Sequence, residues 1–360
     1  MEKDEFGPEQ ILEVSDEKVG MKGVVVIDNT KLGPGKGGIR MTPTVSVEEV
    51  AKLARAMTWK NALAELPFGG AKSGIIANSK ELTTEQKKAI VEAFSRALKV
   101  VCPSKYIAAP DMYMPEQEMG WFAKANGDMK SCTGKPKELG GLPHELGSTG
   151  FGVFHAVRVG AEHLGMDLKN STVAIEGFGN VGWFVAKHLS EFGAKIVAVS
   201  DSKGVIYDSE GIDFEELANV KKETRSVVNY RDKKVDKSII EIDADILVTA
   251  AVPDLIKEGD VDGLKFKLIV EGSNIPISSN VEEMCYKKGI LVIPDFVANA
   301  GGVISSYVEY TNGTAEEMFK MVEEKIIKNT KIILENAKSK SIMPRQSAME
   351  IAKQRIKRGE

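Results

Sequence analysis

The sequence predicts an α/β protein of two domains, and three observations carry that expectation. The chain has 360 residues, more than a single hydrophobic core usually organises. Its second half alternates near-continuous Val/Ile/Leu/Ala runs with helical stretches, the pattern of a mostly parallel sheet covered on both faces. Its first half mixes strands and helices in a different rhythm, and a glycine-rich, proline-containing connection, 134–150, separates the two.

In the first half, VVVID (24–28) and GGIRM (37–41) read as strands joined by the glycine-rich turn LGPGKGG. SVEEVAKLARAMTWKNALAEL (46–66) reads as a helix, with Ser46 and Glu49 as a capping box. SGIIA is a short strand, 84–101 a helix, and YIAAPD (106–111) a strand ending at Asp111. In the second half the strands are TVAIE (172–176), KIVAVSD (195–201), ADILVTAA (244–251), FKLIVEG (266–272) and GILVIPD (289–295). The tail from about 315 is helical. The expected domains are 1–147, joined by the C-terminal helix 331–360, and 148–330.

Composition narrows the function. The chain is 42% hydrophobic and 28% charged, enough for a sizeable core. A net charge of −4 gives no basic footprint for nucleic acid, and no apolar run approaches the ~20 residues of a membrane span. The amino terminus, MEKDEFGPEQ, lacks the apolar stretch of a signal peptide. Cys102, Cys132 and Cys285 lie far apart with no CxxC, so neither disulfides nor a metal site is expected. The expectation is a cytoplasmic protein that binds neither nucleic acid nor membrane.

VAIEGFGNVGWFVAKHL sets Gly177, Gly179 and Gly182 in G-x-G-x-x-G spacing between a strand and an amphipathic helix. A second strand ends at Asp201 about 20 residues on, which completes a dinucleotide fingerprint. Gly177 makes the tight turn, Gly179 admits the pyrophosphate, and Gly182 lets helix and strand pack closely. Phe178, Asn180 and Val181 complete the turn, and the helix amino terminus supplies N–H groups for an anion. The second domain is therefore expected to be a Rossmann-type doubly wound domain. Asp201 suits the ribose 2′-hydroxyl of NAD, whereas Ser202 and Lys203 suit the 2′-phosphate of NADP, so the cofactor is NAD or NADP. GGAKSG is not a P-loop, because the required glycines fall at Leu66 and Ala71.

Three lysines and one aspartate stand out. Lys60 shares a helix face with Leu53, Ala56, Met57, Leu63 and Ala64, so it points along an apolar stripe or snorkels from its border. Lys36 and Lys72 are hemmed by glycines and could each be a solvated turn residue; Asp111 could be a cap. Buried or crowded lysines, however, become usable as acid–base groups, and a nearby carboxylate can relay protons.

The order KGGIR, MTWKNA, PFGGAKSG, APD, TGKP with ELGG, EGFGNVG, EGSN and PDFVANAGGV resembles the amino-acid dehydrogenase family of glutamate, leucine, phenylalanine and valine dehydrogenases, from about residue 24 to the end. The resemblance implies oxidative deamination of an L-amino acid to a 2-oxo acid and ammonia, with hydride passing to NAD or NADP. It implies that Lys72 is the catalytic lysine, which deprotonates the attacking water, and that Asp111 is the catalytic aspartate. Lys60 holds the substrate α-carboxylate. Thr149, Ala250, Ala251, Asn274 and Asn299 join the cofactor contacts. Lys36 and Ser306 match the places that hold the γ-carboxylate in glutamate-binding members, so the substrate pair is L-glutamate and 2-oxoglutarate, and a homohexamer is implied. A leucine-, valine- or phenylalanine-type enzyme and a catalytically inactive NAD(P)-binding sensor are the alternatives. The chain departs from the family pattern at Ser73, Tyr113, Glu145, Ser273 and Ile275.

Overall fold

The structure, a computed structural model, describes residues 3–143 and 146–359; Glu145 lies outside them. The chain divides into two compact units. The first comprises Met1–Leu146, Val303–Met318 and Ile351–Glu360; the second comprises Gly147–Gly302 and Phe319–Glu350.

The first unit contains β1 (Gln10–Asp16), β2 (Met21–Asn29), β3 (Gly35–Thr42), α1 (Val47–Leu63), β4 (Gly69–Ile76), α2 (Thr84–Ala97), β5 (Tyr106–Ala109) and α3 (Glu116–Asn126). Its sheet has the order β1-β2-β4-β3-β5. β1, β2 and β4 are antiparallel neighbours, while β3 runs parallel to β4 and β5. Both faces are covered, which explains the unbroken apolar run of β2. Val25 and Ile27 join Ile39, Met41, Ile75, Phe94, Tyr106 and Phe122 in one core, while Val24 and Val26 meet Val50, Ala51 and Ala54 of α1 on the other face.

Three details differ from the sequence reading. The strand containing Lys72 begins at Gly69, so Lys72 lies in mid-strand and not in a turn. Gly70 makes this possible, because α1 crosses β4 at backbone distance there. A Cβ on Gly70 would lie 2.1 Å from Thr58 Oγ1 and 2.2 Å from Thr58 N. The deeply buried face of α1 is Val50, Ala51, Ala54, Thr58, Asn61 and Ala62, which leaves Leu53, Met57 and Lys60 half-buried beside it and Ala56 exposed. Only half of the expected capping box forms. Ser46 Oγ accepts from Glu49 N at 3.2 Å, but the Glu49 carboxylate is drawn to Arg40.

The second unit begins with α4 (Ser148–His163), β6 (Thr172–Glu176), α5 (Asn180–Phe192), β7 (Lys195–Asp201) and β8 (Gly204–Tyr207). It continues through α6 (Phe214–Thr224), β9 (Lys234–Val235), β10 (Ile246–Thr249), β11 (Leu268–Glu271), α7 (Ser279–Lys287), β12 (Leu291–Ile293) and α8 (Asp295–Ala298). Then come α9 (Gly301–Tyr310), α10 (Ala315–Lys340) and α11 (Pro344–Arg358), whose residues are shared between the units as given above. The sheet order is β12-β11-β10-β6-β7-β8-β9. It is parallel from β12 to β7, and β8 and β9 extend it as an antiparallel edge. The chain leaves β6 for β7 on one side and later returns to β10 on the other. This is the reversal of strand order at which doubly wound sheets bind ligands.

Gly70→Ala is expected to lower the unfolding free energy by about 1–3 kcal/mol or more, because the added methyl meets backbone that cannot move aside. Denaturant titration reads this as a lower midpoint with an unchanged slope; an unchanged midpoint would show that α1 and β4 are not locked together here.

Candidate active site

Strand alternation puts Lys36, Gly38 and Arg40 of β3 on one face, and Lys72 of β4 on that same face. Gly38 keeps the surface between them clear. A Cβ there would lie 2.8 Å from Asp111 Cβ and 3.2 Å from Lys72 Nζ. Across this gap Lys72 Nζ reaches Asp111 Oδ2 at 2.8 Å, and Arg40 Nε reaches the same oxygen at 3.2 Å. Arg40 also bonds Glu49 at 2.5 Å, so charges alternate along Lys72, Asp111, Arg40 and Glu49. Burial works against ionisation of Asp111, but the Lys72 and Arg40 cations outweigh it and hold its carboxyl below the ordinary value. Arg40 stands inside KGGIR, yet its sequence neighbourhood gives no sign that it reaches a residue 71 positions on.

Lys36 is almost wholly buried, at 1% exposure. Its Nζ donates to Ala108 O at 2.9 Å, and burial pushes its pKa down to about 7, the Glu309 carboxylate acting the other way. Among the described residues no carboxylate lies within ion-pair distance of it. Ser306 is half-buried on α9, one turn before Glu309. Phe68, beside β4, sets its ring edge-on to Tyr307 and Tyr310 of that helix. Lys60 is half-buried in the last turn of α1.

The second unit carries the glycine fingerprint. Gly177 has φ +88° at the end of β6, and a Cβ there would lie 2.5 Å from Ala251 Cβ. A Cβ on Gly182 would lie 1.8 Å from Gly177 O, whereas one on Gly179 would meet nothing within 4 Å. The turn is thus tight behind and open in front, and α5 starts at Asn180. Phe178 is buried, and Val181 half-buried, in the same turn. Glu176 ties β6 across the sheet reversal by accepting from Ala250 N, Ala251 N and Val252 N at 3.0, 2.9 and 3.3 Å. Asn299 Nδ2 donates to Asn274 Oδ1 at 3.0 Å. Asn180 Oδ1 and Asn299 Oδ1 are buried without a hydrogen-bond partner, acceptors suited to the hydroxyl and amide donors of a dinucleotide. Thr149 stands at the start of α4, where a Cβ on Gly302 would come within 3.1 Å of its hydroxyl. Ser202 is exposed just beyond β7. These residues fit a dinucleotide: a glycine turn that opens α5, with Gly177 N held by Ser200 Oγ at 3.2 Å, open space before Gly179 and orphan side-chain acceptors nearby.

Asp201 is more engaged than its position suggests. Its carboxylate accepts from Lys203 N (2.9 Å), Val227 N (2.8 Å), Lys221 Nζ (2.7 Å) and Ser226 Oγ (3.3 Å). Burial opposes its ionisation, but Lys221 and these amides hold its carboxyl below the ordinary value. A ribose hydroxyl here would have to share or displace one of those donors. Among the described residues, no group of three or more His, Cys, Asp or Glu side chains is placed to hold a metal, and no helix is long and apolar enough to cross a membrane.

The mixed sheet with its charged face and the doubly wound sheet with its glycine turn define an amino-acid dehydrogenase, and comparison with known proteins agrees. Residues 8–127 match the family model described as Glu/Leu/Phe/Val dehydrogenase, dimerisation domain, and residues 140–359 match Glutamate/Leucine/Phenylalanine/Valine dehydrogenase. The chain belongs to this family. A glutamate dehydrogenase of Aeropyrum pernix is 44% identical over 347 residues, 91% of this chain and 83% of that protein. An NADP-specific glutamate dehydrogenase of Saccharolobus shibatae is 38% identical over 321 residues, 85% and 76% of the two chains. In structure, the hetero-hexameric glutamate dehydrogenase of Thermus thermophilus superposes with a TM-score of 0.86 at 27% identity, covering 98% of this chain and 89% of that one.

Asp201→Asn is expected to lower stability at neutral pH by about 1.5–3 kcal/mol, the value of a hydrogen bond to a charged group, because an amide turns donors toward Lys221 and Val227. The native contribution is present above the ordinary carboxyl value of 3.8 and is lost as pH falls through the lower folded value. The stability gap between the two proteins should therefore narrow in acid. Denaturant midpoints at neutral and acid pH check this, and a constant gap would contradict it.

Proposed function

We propose that this chain is an NAD(P)-dependent glutamate dehydrogenase that reversibly converts L-glutamate to 2-oxoglutarate and ammonia. The observation that carries the substrate assignment is Lys36, a buried ammonium bonded to a carbonyl oxygen and without an ion-pair partner among the described residues. A buried cation is costly unless an anion meets it. The second carboxylate of glutamate is that anion, and the Ser306 hydroxyl is its further donor. The identity to the Aeropyrum pernix and Saccharolobus shibatae enzymes supports the same reading.

In this proposal the first unit binds the amino acid and the second binds NAD(P). The fingerprint turn 177–182, with Thr149, Ala250, Ala251, Asn274 and Asn299, holds the dinucleotide, and Asp201 and Ser202 lie at its ribose end. The bound nicotinamide supplies the hydride acceptor. Lys60 holds the α-carboxylate. Lys72 and Asp111, 2.8 Å apart, can exchange a proton directly. Asp111 accepts a proton from the substrate ammonium, which frees the amine for hydride loss, and later gives that proton to the departing amine. Lys72, once its own proton has passed to solvent, takes a proton from the water that adds to the resulting imine. Arg40 keeps Asp111 ionised and fixed between these tasks. The hetero-hexameric Thermus thermophilus enzyme supports assembly as a hexamer, here of one kind of chain. Free, buried Cys102, Cys132 and Cys285 accord with a cytoplasmic location.

Lys72→Ala and Asp111→Asn should each lower kcat by about 10²–10⁴-fold, the range of a lost acid–base group. Both should bind NAD(P)H normally, as followed by nucleotide fluorescence. Near-normal turnover in either variant would remove that residue from the chemistry. The substrate assignment is tested by Lys36→Leu with Ser306→Val. The ratio of kcat/KM for glutamate to that for norvaline should fall at least about tenfold, one lost charge-assisted bond. An unmoved ratio, or a native preference for leucine, would replace glutamate with an aliphatic substrate.

A further inference from the structure

The surroundings of Lys36 hold a second lysine and one glutamate. Glu309 of α9 is 4% exposed and takes Lys135 Nζ at 2.6 Å. The same carboxylate accepts from Gly134 N at 2.9 Å, Leu142 N at 3.1 Å and Lys135 N at 3.4 Å. Lys135 Nζ also donates to Cys132 O at 2.8 Å. This segment meets Lys36 at one carbonyl, for Ala108 O accepts from Lys36 Nζ at 2.9 Å and from Thr133 N at 3.0 Å. The other titratable groups felt by Lys36 are the thiols of Cys132 and Cys102. Burial keeps both protonated, Cys132 being pushed up to about 12, so they add no charge. The interior therefore holds two ammoniums and one carboxylate, which leaves room for one more negative charge.

We infer that Glu309 is a specificity-determining positioning residue: by neutralising Lys135 and pinning residues 134–142, it reserves Lys36 for the second carboxylate of the substrate. This rests on the reading of Lys36 given above. The electrostatic consequences have opposite signs. Without the Glu309 charge, Lys36 feels the Lys135 cation uncompensated and loses its proton at lower pH. Without the Lys135 charge, Glu309, still held by the amides of Gly134, Lys135 and Leu142, acts as the uncompensated counter-charge of Lys36 and opposes entry of the substrate carboxylate. With both charges removed, the count of one cation is restored.

The test uses the full chain with Glu309→Gln, Lys135→Met, the double variant and Lys36→Leu. For each, kcat/KM is measured for glutamate and for norvaline between about pH 6 and pH 9, a range spanning the depressed value of Lys36. Lys135→Met should lower the glutamate-to-norvaline ratio about tenfold or more across this range. Glu309→Gln should move the alkaline fall of the glutamate profile to lower pH by about one unit, with the norvaline profile unmoved. The double variant should return the ratio to within about threefold of the unaltered protein, the non-additivity expected of directly coupled charges. It removes the two charges of the buried pair together, so it avoids a stranded charge and decides the matter even where a single variant fails to fold. A ratio in the double variant as low as the product of the single effects overturns the inference, as does an equal loss on both substrates. If Lys36→Leu leaves the ratio unmoved, the substrate reading itself has failed. If Lys36→Leu collapses the ratio while the Glu309 and Lys135 variants keep it, only this inference has failed.

Discussion

The first unit depends on one close contact, the crossing of α1 over β4 at Gly70. Helix and strand backbones can meet at that distance only where no Cβ intervenes. The contact is reinforced by polar bonds from the same helix face: Asn61 Nδ2 donates to Gly69 O at 2.7 Å, and Thr58 Oγ1 donates to Asp28 Oδ2 at 2.5 Å. Arg55 adds Nε to Asp28 Oδ2 at 2.8 Å. So α1 is bolted to β2 and β4 and leaves the neighbouring β3 face to Lys36, Gly38 and Arg40. Lys72 then projects from a strand whose position is fixed on both sides. A lysine on a flexible glycine loop would lose much of its binding energy to ordering; a lysine on a clamped strand starts in place.

The two buried lysines of this face show how charge is apportioned. Lys72 has a partner in Asp111, and that pair is continued by Arg40 and Glu49 to the half-exposed start of α1. Alternating signs make each member the stabiliser of the next. Lys36 stands outside this chain. The departure at Ser73 belongs to the same region: its hydroxyl pairs with Tyr106 Oη at 2.8 Å, and Tyr106 donates on to Gly37 O at 3.0 Å. The extra hydroxyl therefore ties β4, β5 and β3 together instead of leaving an unpaired polar group in the core.

Much of this was legible because the signals are local. The run of β2, the helix α1 and the unit β6–α5–β7 each declare themselves within about twenty residues by periodicity and glycine spacing. What could not be read depends on distant partners. β1 is a half-buried edge strand, and the helix α3 has a weak apolar stripe. Gly69 and Gly70 look like a turn until α1 is seen lying on them. The tie between Arg40 and Asp111 spans 71 residues. That the Asp201 carboxylate is already engaged could not be read, because its partners Lys221, Ser226 and Val227 lie on a later helix and the segment after it. Tyr113 and Ile275 both adopt left-handed backbone, at φ +59° and +51°. Such a conformation is unexpected for a β-branched side chain such as Ile275, and sequence alone gives no warning of it.

Ile275 holds that conformation because its N–H is taken by Asp295 Oδ2 at 3.0 Å. Asp295 belongs in turn to a cluster in which Arg345 meets Glu271, Glu282 and Asp295 at 2.9, 2.6 and 3.1 Å. One guanidinium cannot balance three carboxylates. Burial, with the neighbouring Glu282 and Asp295 carboxylates, drives the Glu271 pKa well up, while the Arg345 guanidinium acts the other way. The same device recurs around the sheet reversal. Glu176 takes the amides of 250–252, Asp201 those of 203 and 227, and Asp295 that of 275. Each carboxylate satisfies the backbone donors of a loop from behind. Gly177 N is likewise taken, by Ser200 Oγ at 3.2 Å, and α5 begins at Asn180 beside the open space before Gly179. An anion approaching this unit is thus directed to the start of α5 because the competing amides have already been answered by the protein's own side chains.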